Sequence, residues 1–146
     1  MEISRITVID DEIVECFRRL MPQLSPAIRP PDKQELEEMV AVDNCALLAA
    51  RDDAGGEIIG TLTLLVFRAP TGVQAWIEDV VVDEKPRGRR AGYALMKAAL
   101  ETARSSGANC VSLTSRPARR EANRLYKKLG FTRPKTNYYR YMFEGR

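Results

Sequence analysis

The sequence predicts an α+β fold, with a mixed α/β sheet that is mostly antiparallel and flanked by helices. Three observations predict it. Apolar runs at Cys45 to Ala50, Ile58 to Phe67 and Val73 to Val82 follow one another with only short turns between them, the pattern of an antiparallel meander. After Val82 the pattern changes to helix and then strand, which favours a parallel pairing and hence a mixed sheet. The chain's 146 residues, 45% hydrophobic and 29% charged, suit one globular domain over residues 1–146 and leave no room for a second core.

Taken in order, Met1 to Val8 alternates through Ile3, Ile6 and Val8 and reads as a short strand. Asp10, Asp11 and Glu12 suit a helix start, and Ile13, Cys16, Phe17 and Leu20 follow at helical spacing. Pro22, Pro26, Pro30 and Pro31 then predict a loop. Asp32 caps a second helix running to about Val42, with Leu36, Met39 and Val40 as its apolar stripe. Asp52 to Gly56 and Pro70-Thr71-Gly72 are the turns of the meander.

Ala91 to Ser106 is helical, with Leu95, Ala98, Ala99 and Thr102 on one face and Gly107 as its stop. Cys110 to Thr114 reads as a strand. Pro117 opens a last helix, striped by Ala118, Ala122, Leu125 and Leu129 and closed by Gly130. Phe131 and Asn137 to Phe143 read as two final strands, the second packing its alternate residues in the core, with Tyr138 or Tyr139 also available to line a site. The proline-rich stretch from Met21 to Pro31 is a candidate lid.

Composition removes whole classes of chemistry. The chain has no histidine, which excludes Ser-His-Asp and Cys-His nucleophile systems and histidine metal sites. Its three cysteines, Cys16, Cys45 and Cys110, are far apart and set among apolar neighbours. That pattern fits reduced thiols in a cytoplasmic protein, with no metal site. The longest uncharged stretch is the eleven residues from Ser105 to Ser115, against the ~20 apolar residues of a membrane span. With no leader pattern at the start, the expectation is a cytoplasmic chain with no membrane partner.

The net charge of +3 conceals a segregation. Residues 1–84 carry 7 basic and 17 acidic side chains, a net of −10. Residues 85–133 carry 13 basic and 2 acidic, a net of +11. So basic a block calls for an anionic partner: a phosphorylated cofactor, nucleic acid, or the acidic half of the same molecule.

Within that block Val80-Val81-Val82 runs into Arg87-Gly88-Arg89-Arg90-Ala91-Gly92-Tyr93, a strand entering a Gly- and Arg-containing turn that opens a helix. Free N–H groups and the positive dipole end of such a start bind anions, and Gly88 and Gly92 let the main chain approach a phosphate. An exposed basic helix start is the plainer reading of the same residues. The turn is neither a Walker A loop nor a dinucleotide fingerprint, whose glycine spacings it lacks.

This stretch resembles the acetyl-CoA motif of the GNAT superfamily of N-acetyltransferases, written Gln/Arg-x-x-Gly-x-Gly/Ala. Downstream, Asn123-Arg124-Leu125-Tyr126 followed by Gly130-Phe131 is similar to the family's second motif, Asn-x-x-Tyr-x-x-x-Gly-Phe. The resemblance covers roughly residues 44–143. It departs from the pattern at Arg90, which stands where the first glycine of the motif is usual.

The resemblance implies a GNAT acyltransferase fold with splayed strands and an acetyl-CoA-dependent N-acetyltransferase. Coenzyme A would lie along Val80, Val81 and Val82, with its phosphates on the main chain of Arg87, Gly88, Arg89, Arg90, Ala91, Gly92 and Tyr93. The Val80 N–H would polarise the thioester carbonyl, an oxyanion-type role. Asn123 would hydrogen-bond the cofactor, and Tyr126 would protonate the leaving thiolate.

An amine nucleophile arrives protonated, and without histidine a carboxylate or a water relay must take its proton. Glu78, two residues before Val80, shares a strand face with Trp76, Val80 and Val82 and is the preferred base. A β-bulge would flip that parity and favour Asp79. The implied acceptor is a primary amine of a small molecule or peptide, attacking directly in a ternary complex. A homodimer is compatible with the resemblance. A non-catalytic acyl-CoA sensor and a nucleic-acid-binding module are the competing readings, the latter lacking any recognised nucleic-acid signature.

Overall fold

Asp10 separates the first strand from the first helix. Its side chain accepts the Ile13 N–H at 3.0 Å, and Asp11 and Glu12 add charge that suits the positive end of the helix. In the computed structural model, which describes every residue except 54 and 86–89, β1 (Glu2–Ile6) therefore gives way to α1 (Asp11–Leu24). The expected loop at Pro22 is not there: α1 continues through it. A proline so close to the helix end removes one backbone hydrogen bond, and burial of Leu20 and Met21 outweighs that loss.

The α2 helix (Lys33–Ala41) starts as predicted with a capping box. Asp32 accepts the Glu35 N–H at 2.9 Å, and Glu35 accepts the Asp32 N–H at 3.0 Å. Three antiparallel strands follow, β2 (Cys45–Arg51), β3 (Ile58–Ala69) and β4 (Gly72–Val82). Then come α3 (Ala91–Ser105), the short β5 (Val111–Ser112) and α4 (Arg120–Lys128). Sheet order is β1-β2-β3-β4-β5, with β5 parallel to β4, so the sheet is mixed as expected.

The chain divides into two compact units, Met1–Ser115 and Arg116–Arg146. In the first, the sheet is buried on both faces, which explains the unbroken apolar run of β2. Leu47 and Ala49 join Ile13, Phe17, Leu20, Leu36 and Val81 in the core beneath α1 and α2. The alternate residues Ala46, Leu48 and Ala50 are equally buried on the opposite face. There α3 comes so close that a Cβ on Gly60 would lie 3.1 Å from the Leu95 side chain. Leu95 and Ala99 are buried as the stripe predicts, joined by Ala91, Met96 and Ala103, whereas Ala98 and Thr102 are only half-buried. Full burial of a leucine such as Leu20 or Leu36 contributes about 2 kcal/mol.

The second unit departs from expectation twice. Its helix begins at Arg120 rather than at Pro117, which sits in the preceding turn. Neither Phe131 nor Asn137 to Phe143 forms a strand. Apolar alternation makes a strand only where another strand pairs with it. Here the tail's rings meet one another instead, Tyr141 with Phe143 at 5.4 Å, and Arg140 lies over Tyr138. Among the described residues no helix is long and apolar enough to cross a membrane.

Candidate active site

The register of β4 changes in its second half. Thr63 pairs with Glu78 but Thr61 pairs with Val81, so two residues of β4, Asp79 and Val80, oppose the single Leu62. This is a β-bulge, and Asp79 occupies it with φ +49, a left-handed conformation that aspartate tolerates better than most residues. Because Thr61 and Thr63 share a face of β3, their partners Glu78 and Val81 share a face as well. The expected grouping of Glu78 with Val80 and Val82 is thereby corrected. Glu78 lies with Trp76 and Val81 on the face beneath α1 and α2, while Val82, paired with Gly60, lies on the α3 face. Glu78 and Asp79 are both exposed, Val81 is buried, and Val80 and Val82 are half-buried.

On its other edge β4 pairs with β5 only at Ala75 and Trp76. Beyond Trp76 the pairing stops, and no described strand pairs with the β5-side edge from Ile77 to Val82. Asp83 donates its N–H to the Ile59 carbonyl at 2.8 Å. By the two-residue alternation of a strand, Val82 then turns its N–H to the open edge. The Ser115 hydroxyl, a few residues beyond β5, is buried without a hydrogen-bond partner. An extended ligand carrying amide groups fits such an edge, since it can satisfy backbone donors that lack a strand partner.

The predicted anion-binding turn is described only in part. Arg87, Gly88 and Arg89 lie outside the described residues. Arg90 is exposed, adopts right-handed helical geometry (φ −95, ψ −11) and accepts the Ala94 N–H at 3.1 Å. It therefore needs none of glycine's conformational freedom, and its side chain turns outward. Ala91 is fully buried, Gly92 half-buried and Tyr93 exposed, and the helix start carries no side-chain cap. Main-chain N–H groups at such a start are the donors a pyrophosphate requires.

Asn123 and Tyr126 lie one turn apart on α4, in the second unit. The Asn123 amide donates to the Arg116 carbonyl at 2.9 Å and to the Arg119 carbonyl at 2.8 Å, fixing the turn that starts the helix. Its Oδ1 is the polar atom left for another partner. Tyr126 is buried, and burial raises its hydroxyl above the ordinary tyrosine range, with Arg119 opposing. The helix ends in a Schellman motif: Gly130 (φ +99) donates to the Lys127 carbonyl at 3.1 Å, and Phe131 to the Tyr126 carbonyl at 3.0 Å. The recurrent Tyr…Gly-Phe spacing thus has a local physical cause.

One group of residues escaped the sequence reading. Asp83, the residue after β4, is buried and ion-paired to Arg19 of α1 at 2.5 Å. A carboxylate immediately after a long apolar strand and an arginine in an amphipathic helix were visible separately, but nothing in the sequence joined them. Among the described residues no cluster of acidic or thiol side chains could hold a metal ion.

Residues 10–131 match the family model described as the Acetyltransferase (GNAT) family. The chain belongs to that family, as the two motifs and the interrupted β4–β5 pairing lead one to expect, and it is an N-acetyltransferase. It is 33% identical over 129 residues to glucosamine 6-phosphate N-acetyltransferase 1 of Oryza sativa subsp. japonica, covering 82% of this chain and 75% of the relative. Its fold is shared by the glucosamine-6-phosphate N-acetyltransferase of Arabidopsis thaliana (TM-score 0.78, 20% identity, 98% of this chain and 100% of that one). It is shared too by an aminoglycoside acetyltransferase from an uncultured soil metagenomic sample, in complex with sisomicin (TM-score 0.82, 18% identity, 98% and 96%). Enzymes of this family generally use acetyl-CoA.

Proposed function

We propose that this chain transfers the acetyl group of acetyl-CoA directly to the primary amine of a small molecule or peptide, within a ternary complex. The observation that carries the reading is the open edge of β4: pairing with β5 stops at Trp76, and a bulge follows at once at Asp79. Acetyl-CoA would supply the activated thioester. Val80 and Val82 would hold it through their main chain, with Val81 between them turned to β3. The helix start at Arg90, Ala91, Gly92 and Tyr93, with Arg87, Gly88 and Arg89 before it, would take its phosphates.

The chain's own groups divide the chemistry. The Val80 N–H faces the charge that develops on the carbonyl oxygen. Asp79, the carboxylate that the bulge favours, takes a proton from the acceptor's ammonium so that the free amine can attack, and Glu78 is the other carboxylate near enough in the strand to do so. When the free amine displaces the thiolate from the acetyl carbon, the Tyr126 hydroxyl would give the thiolate its proton and recover one from the newly acylated nitrogen. Burial raises the hydroxyl above the ordinary tyrosine range, so it is protonated at neutral pH and able to donate. Asn123 offers its Oδ1 to the cofactor. The family match runs from residue 10 to residue 131, across both compact units, which supports a single catalytic domain. The cytoplasm, where acetyl-CoA is available, is the proposed compartment, and a homodimer remains compatible with the fold.

Relatives named for glucosamine 6-phosphate and aminoglycosides make amino sugars the first acceptors to test. The experiment is thiol release from acetyl-CoA over a panel of amines that includes both. Turnover with any amine supports the reading, provided acetyl-CoA also raises the melting temperature. Absence of any thermal shift at millimolar acetyl-CoA overturns it. A shift without turnover on a wide panel favours the acyl-CoA sensor instead.

A further inference from the structure

We propose that Arg19 and Gln23 of α1 are positioning residues for cofactor binding, holding the chain where it leaves β4 for the anion-binding turn. The inference rests on the reading above, that the turn receives the cofactor's pyrophosphate. Arg19 pairs through Nη1 with Asp83 Oδ2 at 2.5 Å, and its Nε lies 3.3 Å from Glu57 Oε1. Its Nη2 donates to the Ile58 carbonyl. One turn later on the same face, Gln23 Oε1 accepts the Glu84 N–H at 2.9 Å. Its Nε2 donates to the Arg19 carbonyl at 3.3 Å. Asp83 Oδ1 in turn accepts the Lys85 N–H at 3.3 Å.

Asp83 and Glu84 are thus held from one helix, and Lys85 through Asp83, immediately before residue 86. Surface connections are ordinarily mobile and bonded to water. An ion pair with one member only 2% exposed is also a weak device for stability alone, because an apolar pair of the same shape serves about as well. What it provides is direction. The planar guanidinium accepts the carboxylate in a narrow range of orientations, so it sets the angle at which the chain departs from β4. At the far side, Arg90 is set by its bond to Ala94 in α3. Backbone donors aimed at a pyrophosphate lose most of their value when displaced by about 1 Å.

The test compares acetyl-CoA with S-acetyl-pantetheine, which carries the same thioester but neither the pyrophosphate nor the 3′-phosphate. In Arg19→Met and Gln23→Ala the ratio of kcat/KM for acetyl-CoA to that for S-acetyl-pantetheine should fall about tenfold, with partial recovery in Arg19→Lys. A parallel loss on both substrates, or an unchanged ratio, overturns the proposal by showing a merely structural role. Gln23→Ala removes one neutral side chain and keeps the test open where Arg19→Met does not fold. If the native enzyme itself shows no preference for acetyl-CoA over the truncated thioester, the pyrophosphate reading fails, and this inference with it.

Discussion

Phe131 donates its N–H to the Tyr126 carbonyl at 3.0 Å and sets its ring 5.9 Å from the Tyr126 ring. Backbone and side chain of one residue thus hold those of the other, across the single turn closed by Gly130. The proposed acid is therefore aimed by the end of its own helix.

Tyr126→Phe should lower kcat by about a hundredfold while changing acetyl-CoA affinity less than about twofold. Burial raises the native hydroxyl above its ordinary value near 10, so the alkaline fall in kcat belongs above that pH. The same shift makes stability fully present below about pH 10 and lost as the pH climbs through the raised value. Steady-state kinetics from pH 6 to about 11 checks the first statement and denaturant unfolding over the same range the second, and an unchanged kcat in Tyr126→Phe removes Tyr126 from the acid role.

The two carboxylates at the bulge separate by substitution. Asp79→Asn should depress kcat by at least about tenfold, with Glu78→Gln much closer to native. The reverse pattern transfers the base to Glu78. Asp79→Gly relaxes a positive φ and should leave the melting temperature unchanged or raise it, by about 0.5 kcal/mol of stability.

Thiol reactivity should rank by burial. Cys110 is exposed, whereas Cys16 is buried and its thiol is pushed up to about 12 by desolvation, with Arg19 opposing. At pH 8 iodoacetamide should label Cys110 and spare Cys16, read by peptide mass spectrometry. An unfolded thiol titrates near 8.5, so this part of the stability is complete below that value and disappears as the pH rises toward about 12.

Gly60→Ala should destabilise the fold by about 1–3 kcal/mol, because the new methyl would meet Leu95 Cδ1 at 3.1 Å and the Val81 carbonyl oxygen at 3.2 Å. Denaturant titration of Gly60→Ala with and without Leu95→Val gives the coupling. If the two effects simply add, the contact is not the cause.

Much of this architecture is legible in residues that act locally. Asp10 and Asp32 announce their helices because a cap is satisfied within three residues, and Gly107 and Gly130 announce stops for the same reason. The motif at Asn123, Tyr126, Gly130 and Phe131 is also local, a helix end with its own closure. What stayed hidden depends on partners far along the chain. The face taken by Glu78 depends on a bulge measured against β3. Pro22 is tolerated because its neighbours are buried, and the aromatic tail fails as a strand because no described strand pairs with it. Arg19 and Asp83 are 64 residues apart, and no periodicity connects them.

The bulge at Asp79 is one extra residue absorbed without disturbing either core. Val81 still joins the core beneath α1 and α2 on one side of the sheet, and Val82 still pairs with Gly60 toward the α3 side. A lineage carrying this fold can therefore lose that codon, altering the strand edge where the chemistry is proposed while the strand pairs on either side of the bulge are kept. The place where the chemistry is proposed is the place where the strand's length is least constrained.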